Sequence, residues 1–190
     1  MKRKKAKSHL IAISAPSGAG KTTVCKLLAQ RNPTIRISVS ATTRPPRKNE
    51  SDGEDYHFLS KQEFQEKIEN GDFIEFERVH GKLYGTLKLV VQELLEQEYF
   101  ILFDIDVNGA ISIKNYDSNA ILIFLRPPSM EELRRRLRER GADSELEIEK
   151  RLERVPDEYE KAQFFDYDIV NDDLINTIEQ IEKIIFNNKK

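Results

Sequence analysis

Apolar residues fall along this chain in short runs whose spacing changes from segment to segment. His9 to Ser14, "HLIAIS", reads as a short buried strand, followed by a glycine-bearing turn and a helix from about Lys21 to Gln30. Ile35 to Val39 gives a second strand. The polar stretch "SATTRPPRKNESDGEDYHF", with two prolines and a glycine, is expected to be too irregular for core structure. Ser60 with Glu63 three residues on has the spacing of a capping box, and Gly71 follows the end of the helix it opens. Phe73 to Val79 alternates like a half-buried strand, and a helix from about Leu87 to Gln97 leads into "YFILFDID", an apolar strand ending in two carboxylates. "AILIFL" at 120–125 is another buried strand, closed by Pro127 and Pro128.

Ser129 with Glu132 and Ser144 with Glu147 repeat the capping-box spacing and open two further helices; the first carries "MEELRRRLRERG", and Pro156 is expected to bend or end the second near Val155. "YDIV" is a short strand, and Leu174 to Phe186 an amphipathic terminal helix. Buried strands alternating with helices predict an α/β fold with a parallel sheet covered on both faces.

Composition narrows the class. A length of 190 residues suits one domain, and 31 basic against 33 acidic residues leave a net charge of −2, which argues against nonspecific nucleic-acid binding. Cys25 is the only cysteine, so no intrachain disulfide or cysteine-based zinc site is expected, and a reducing cytosol fits. The three histidines have no metal-ligand spacing, and no apolar run approaches the ~18 residues of a membrane span. Residues 1–7, "MKRKKAK", read as a solvated, disordered basic tail; the "LIAI" that follows is too short for a secretion signal.

The chemistry concentrates in "ISAPSGAGKTT". A phosphate loop turns successive backbone N–H groups toward an anion at the positive end of a helix. Here Ala15, Pro16, Ser17, Gly18, Ala19, Gly20, Lys21, Thr22 and Thr23 form the candidate loop, with Lys21 reaching the β- and γ-phosphates and Thr22 placing a hydroxyl on Mg²⁺. Ala15 replaces the usual first glycine, which requires only that φ there stay negative. Asp104 and Asp106, two apart, are read as sharing one face at the C-terminal end of a strand, where parallel sheets bind ligands. By itself the arginine-rich run at 131–140 reads as a salt-bridged exposed helix, with Arg134, Arg135 and Arg138 paired to Glu131, Glu132 and Glu139.

"SAPSGAGKTT", "SVSATTRPPR", "GEDYHF", "FIEF", "YGT", "DIDVNG", "RLRERG" and "IVNDDL", in this order, resemble the guanylate kinases from about His9 to Ile185. The resemblance implies a P-loop nucleoside monophosphate kinase fold and transfer of the γ-phosphoryl group of ATP to GMP or dGMP, with Mg²⁺ as cofactor, in the cytoplasm, without nucleic-acid or membrane partners. It implies one domain over 8–187: a core of 8–39, 96–128 and 157–187, a GMP-binding insert at 40–95, and a lid at 129–156. Arg44, Arg47, Tyr56 and Tyr84 are implied for the acceptor phosphate, and Ser40, Glu75, Thr86 and Asp106 for guanine. Guanine's N1–H and N2 amino group are neighbouring donors that suit acceptor-only carboxylates. Asp104 is implied for Mg²⁺, directly or through water, and Arg136, Arg140 and Arg151 for closure over the ATP phosphates; Lys21 and Arg44 complete the catalytic set. Asn108 stands where the family usually has glutamine. Scaffold domains of this type that bind phosphopeptides are the rival reading, along with kinases for other nucleoside monophosphates; the former have degraded phosphate loops, whereas Gly18, Gly20, Lys21 and Thr22 are all retained here.

Overall fold

A computed structural model describes residues 9–79, 81–139 and 144–187. The basic tail and Arg140 lie outside the described residues.

The main sheet is built from β2 (Ile35–Ile37), β7 (Phe100–Asp104), β1 (Leu10–Ser14), β8 (Ile121–Arg126) and β9 (Tyr167–Val170), in that order and parallel throughout. All five residues of β1 are buried, because the strand sits at the middle of the sheet between β7 and β8. Its alternating side chains divide between two cores. Ile11 and Ile13 join the larger one, with Val24, Cys25 and Leu28 of α1 (Lys21–Arg31) and Ile178, Ile181 and Ile185 of α8 (Leu174–Asn187). Leu10 and Ala12 face Val91 of α3 (Lys88–Glu96) and Ala110 and Ile113 of α4 (Val107–Tyr116). The doubly covered parallel sheet expected from the apolar runs is therefore present.

A second, four-stranded sheet has the order β4 (His57–Phe58), β3 (Ala41–Thr42), β6 (Lys82–Leu87), β5 (Phe73–Val79). The polar stretch after Val39 thus holds two short strands, and Ala41 and Thr42 are fully buried, contrary to the irregular segment expected there. A two-residue strand leaves no periodicity to detect. Strand β5 also departs from expectation: only Phe73 is buried and Phe76 is half exposed, because β5 is an edge strand paired solely with β6 and bulged between Phe73 and Glu75. Gly85 allows this pairing, since a Cβ there would lie 2.8 Å from the Glu75 carbonyl oxygen. Helix α2 (Lys61–Glu69), capped reciprocally by Ser60 and Glu63, closes the small core by stacking Phe64 on Phe73 with 4.4 Å between ring centres.

Helix α5 (Met130–Glu139) starts at Ser129, whose Oγ accepts the Glu132 N–H, and α6 (Glu145–Leu152) carries the full Ser144–Glu147 box. Helix α6 ends at Leu152, ahead of the break expected near Val155, and α7 (Val155–Ala162) begins at that position, with Pro156 in its first turn, where its missing N–H has no partner to lose. Leu133 and Leu137 of α5, with Ile148 and Leu152 of α6, are buried in the larger core. A Cβ on Gly18 would lie 2.8 Å from Leu137 Cδ2, so α5 rests directly on the turn after β1. Leu137→Ala is expected to cost about 2–5 kcal/mol of stability, read by urea unfolding, since it empties a site with no exposed surface.

Candidate active site

The turn after β1 leaves the C-terminal edge of the sheet, and its conformation depends on two glycines. Gly18 and Gly20 both have φ of +94°, in the left-handed region that side chains avoid. Among the described residues Glu98 is the only non-glycine with positive φ, so Ala15 has the negative φ that its methyl group requires. Gly20 precedes α1 without a side-chain cap, and the first turn of α1 carries no acidic residue, leaving the helix's positive end for an anion.

Residues 15–18 and 20–23 of this turn line a cleft of about 510 Å³ together with Asp106, Arg136 and Glu158. Lys21 Nζ lies 2.9 Å from Asp104 Oδ1 and donates to the Ile105 carbonyl at 2.6 Å. The lysine is thereby held at the end of β7, beside the turn. Cys25, one turn farther along α1, is fully buried, and burial pushes its thiol pKa up, so the thiol stays protonated and inert.

Asp104 ends β7, so Asp106 lies just beyond the strand on which it was expected. Pairing of β7 with β1 ends at Ile13 and Asp104, and Asp106 instead caps α4, accepting the Gly109 N–H at 2.7 Å. That helix was not foreseen, since Asn108 and Gly109 interrupt its opening. Lys161 Nζ donates to Asn108 Oδ1 at 2.8 Å, which gives the shorter amide a partner on α7.

In the second sheet, Thr86 Oγ1 donates to Glu75 Oε1 at 2.5 Å across the β5–β6 register. Burial raises the Glu75 pKa, and Asp106 adds to the rise while Thr86 opposes it. Two acids that sequence reasoning overlooked complete this region. Glu77 is pushed up to about 7, chiefly by the neighbouring Asp106 carboxyl, and Glu158 is pushed up to about 7 by burial. Neither belongs to a recognisable motif; Glu77 is simply two residues beyond Glu75 on the same face of a strand.

Arg44, Tyr56 and Tyr84 gather on the small sheet, where Tyr84 stands opposite Glu77 in the β5–β6 register. The Arg44 guanidinium lies 5.2 Å from the Tyr56 ring centre, and the rings of Tyr56 and Tyr84 meet edge-on at 6.0 Å. Both terminal nitrogens of Arg44 bond Glu50 at 2.8 Å, which holds the Glu50 carboxyl well below its ordinary pKa, and Glu50 also accepts the Arg47 N–H. Glu50 is a third acid with no assigned role, and the side chain of Arg47 is exposed. Ser40 precedes β3 and its carbonyl accepts the His57 N–H.

The arginine-rich helix corrects another expectation. Arg135 pairs with Glu132 and Glu139 as foreseen, but Arg134 pairs with Glu149 and Arg138 with Glu145, across to α6. Arg136 turns inward: its Nε donates to Glu132 and its NH2 to the Asn171 carbonyl at 3.2 Å. Arg151 donates to Ser17 Oγ at 2.8 Å. Two of the three lid arginines thus reach the phosphate loop or its support.

No group of three or more metal-ligating His, Cys, Asp or Glu residues occurs among the described residues. The oxygen donors at the cleft include the exposed Thr22 hydroxyl and the Asp106 and Glu158 carboxylates, and the Asp104 carboxylate lies beside it on Lys21; hard oxygens of this kind suit Mg²⁺ when phosphates and water supply its other ligands. No helix among the described residues is long and apolar enough to cross a membrane.

The guanylate kinase family matches residues 7–188. The guanylate kinase of Porphyromonas gingivalis is 49% identical over 181 residues, spanning 94% of this chain and 96% of that protein. The guanylate kinase of Clostridioides difficile is 44% identical and spans 96% of this chain and 89% of its own length. The crystal structure of guanylate kinase from Anaplasma phagocytophilum superposes with a TM-score of 0.74 at 32% identity, covering 95% of this chain and 85% of that one.

The raised acid on α7 gives a test of the site's electrostatics. With a carboxyl pKa of about 7 in the fold against 4.5 for the ordinary group, the folded protein binds more protons between those values, so Glu158 lowers stability as pH rises through that window. Glu158→Gln is expected to match the parent near pH 4.5 and to exceed it by on the order of 1–2 kcal/mol near pH 8, after allowing for solvent at this partly exposed side chain. Thermal unfolding of the ligand-free protein at the two pH values measures the difference.

Proposed function

We propose that this chain, which belongs to the guanylate kinase family and transfers the γ-phosphoryl group of ATP to GMP, does so with three sets of residues. Residues 15–23 cradle the ATP phosphates; Ser40, Arg44, Arg47, Tyr56, Glu75, Tyr84, Thr86 and Asp106 receive GMP; and Arg136, Arg140 and Arg151 add positive charge from the lid. The observation that carries the reading is the opening formed by Gly18, Gly20 and Lys21 beside Asp106, with Arg136 at its rim.

Transfer between phosphates depends mainly on alignment and charge neutralisation. The acceptor is already a phosphate oxygen, so no general base is needed. Lys21 exchanges Asp104 for the β- and γ-phosphates, which frees that carboxylate to support Mg²⁺ with Thr22. When bound, the metal neutralises phosphate charge and orients the transferring group. Arg44 offers its guanidinium fork to the acceptor phosphate, with the Tyr56 and Tyr84 hydroxyls beside it.

Glu75 selects the base. Its carboxylate, oriented by Thr86, accepts the N1–H and N2 donors of guanine, whereas adenine offers no such pair of donors to this half-buried acceptor. Burial favours protonation of Glu75, and guanine's two donors favour the ionised form on binding. The same site accepts dGMP, since no residue assigned here reads the 2′-hydroxyl. A cytoplasmic setting, where both nucleotides are available, completes the proposal.

Lys21→Ala is expected to lower kcat by about two orders of magnitude or more through the lost charge at the transferring phosphate, with folding intact. Glu75→Gln is expected to raise the KM for GMP by about tenfold or more while sparing the KM for ATP. Steady-state kinetics with each substrate varied in turn tests both; unchanged GMP kinetics in Glu75→Gln would remove Glu75 from the base site.

A further inference from the structure

The segment "IVNDDL" contains a buried polar residue to which no role has been given. Asn171 follows β9, is 5% exposed, and its backbone N–H donates to the Arg126 carbonyl at 2.7 Å, anchoring it to the end of β8. Its side-chain Nδ2 donates to the Ala19 carbonyl at 2.7 Å in a buried bond that links residues 152 positions apart. A Cβ on Gly20 would lie 2.6 Å from the same nitrogen, so the amide packs against the glycine itself.

The consequence follows from peptide geometry. In a planar trans peptide the carbonyl of one residue and the N–H of the next point in opposite directions. Asn171 draws the Ala19 carbonyl toward the sheet edge, so the Gly20 N–H is turned away from it, toward the cleft that Gly18, Gly20 and Lys21 line. With φ of +94° at Gly20 and no side chain on it, this peptide unit has little steric reason to hold one orientation; the short Asn171 bond supplies it, with a longer one to the same carbonyl from Arg136 at 3.5 Å. Arg136, on the Asn171 carbonyl at 3.2 Å, joins the same support to the lid helix.

We propose that Asn171 is a positioning residue for polyphosphate binding, fixing the Ala19–Gly20 peptide so that the Gly20 N–H is preset to meet a phosphate oxygen. This rests on residues 15–23 being the ATP phosphate site. Preset donors bind an anion without the cost of reorienting, so loss of the bond weakens phosphate affinity while leaving the acceptor site untouched.

The test is calorimetric titration of the parent, Asn171→Ser and Asn171→Asp with MgATP, inorganic tripolyphosphate and GMP. Serine removes the long donor without adding charge; aspartate keeps the shape and faces the Ala19 carbonyl with an acceptor. Both variants are expected to lose about tenfold or more in affinity for MgATP and for tripolyphosphate by a similar factor, with GMP affinity within about twofold of the parent. Tripolyphosphate binding at parental strength alongside weakened MgATP would overturn the proposal and place Asn171 at the nucleoside end. Equal losses for GMP and MgATP would also overturn it and reduce Asn171 to a general packing role.

A measurement on the parent keeps the question open to refutation if neither variant folds. The Gly20 amide proton is expected to move downfield on addition of tripolyphosphate, and an unmoved resonance in the saturated protein would count against the proposal. Lys21→Ala separates the two levels. If it leaves tripolyphosphate binding unchanged, the assignment of residues 15–23 fails; if it weakens binding and the Asn171 variants do not, only the role of Asn171 fails.

Discussion

The backbone turn between β1 and α1 is the constraint on which the rest of the site depends. Two left-handed glycines reverse the chain within a few residues and deliver Lys21 to the first turn of a helix whose end is uncapped. Such a turn is intrinsically loose, and it is braced from three directions. Leu137 packs at Gly18, Arg151 bonds Ser17, and Asn171 bonds the Ala19 carbonyl. Those braces come from α5, α6 and the end of β9, so elements far apart in sequence converge on one short loop. Because α5 buries its leucines in the main core, the turn and the arginine-rich helix share a hydrophobic foundation as well as polar contacts.

Around that turn, the cations proposed to meet phosphate are held by carboxylates. Lys21 rests on Asp104, Arg44 on Glu50, and Arg136 on Glu132. Each pairing keeps a flexible charged chain near its working position, and an arriving phosphate exchanges one anionic partner for another instead of meeting an unordered side chain. Partly buried pairs of this kind contribute little net stability, because desolvation offsets much of their attraction. Their value lies in placement. The opposite arrangement occurs where Glu77 lies near Asp106: two acids are neighbours, and the Glu77 pKa is raised to about 7.

The elements legible in the sequence were those with a local signal. Continuous apolar runs marked β1, β7 and β8, and serine–glutamate pairs marked the starts of α2 and α6. Glycine spacing marked the turn between β1 and α1, including the negative φ at Ala15. What escaped reading depends on contacts between distant residues. The two-residue strands β3 and β4 exist because β6 offers an edge, and α4 forms because Asp106 turns to cap it, which removes that residue from the strand where spacing had placed it. The partners of Arg134 and Arg138 lie on a neighbouring helix, so intrahelical spacing could not find them. Glu50, Glu77, Glu158 and Asn171 acquire their importance only from what the fold brings beside them.

The central claim is that this arrangement moves a phosphoryl group from ATP to a guanine nucleotide and discriminates by the base. The most direct measurement is ADP formation from MgATP by the purified parent protein with GMP, dGMP, AMP, CMP, UMP or no acceptor. The account predicts rapid turnover with GMP and dGMP and little with the other acceptors or with water, because only guanine offers paired donors to the Glu75 carboxylate on β5. Comparable rates with AMP, CMP or UMP, or no turnover with any acceptor in a folded protein that binds GMP, would contradict it.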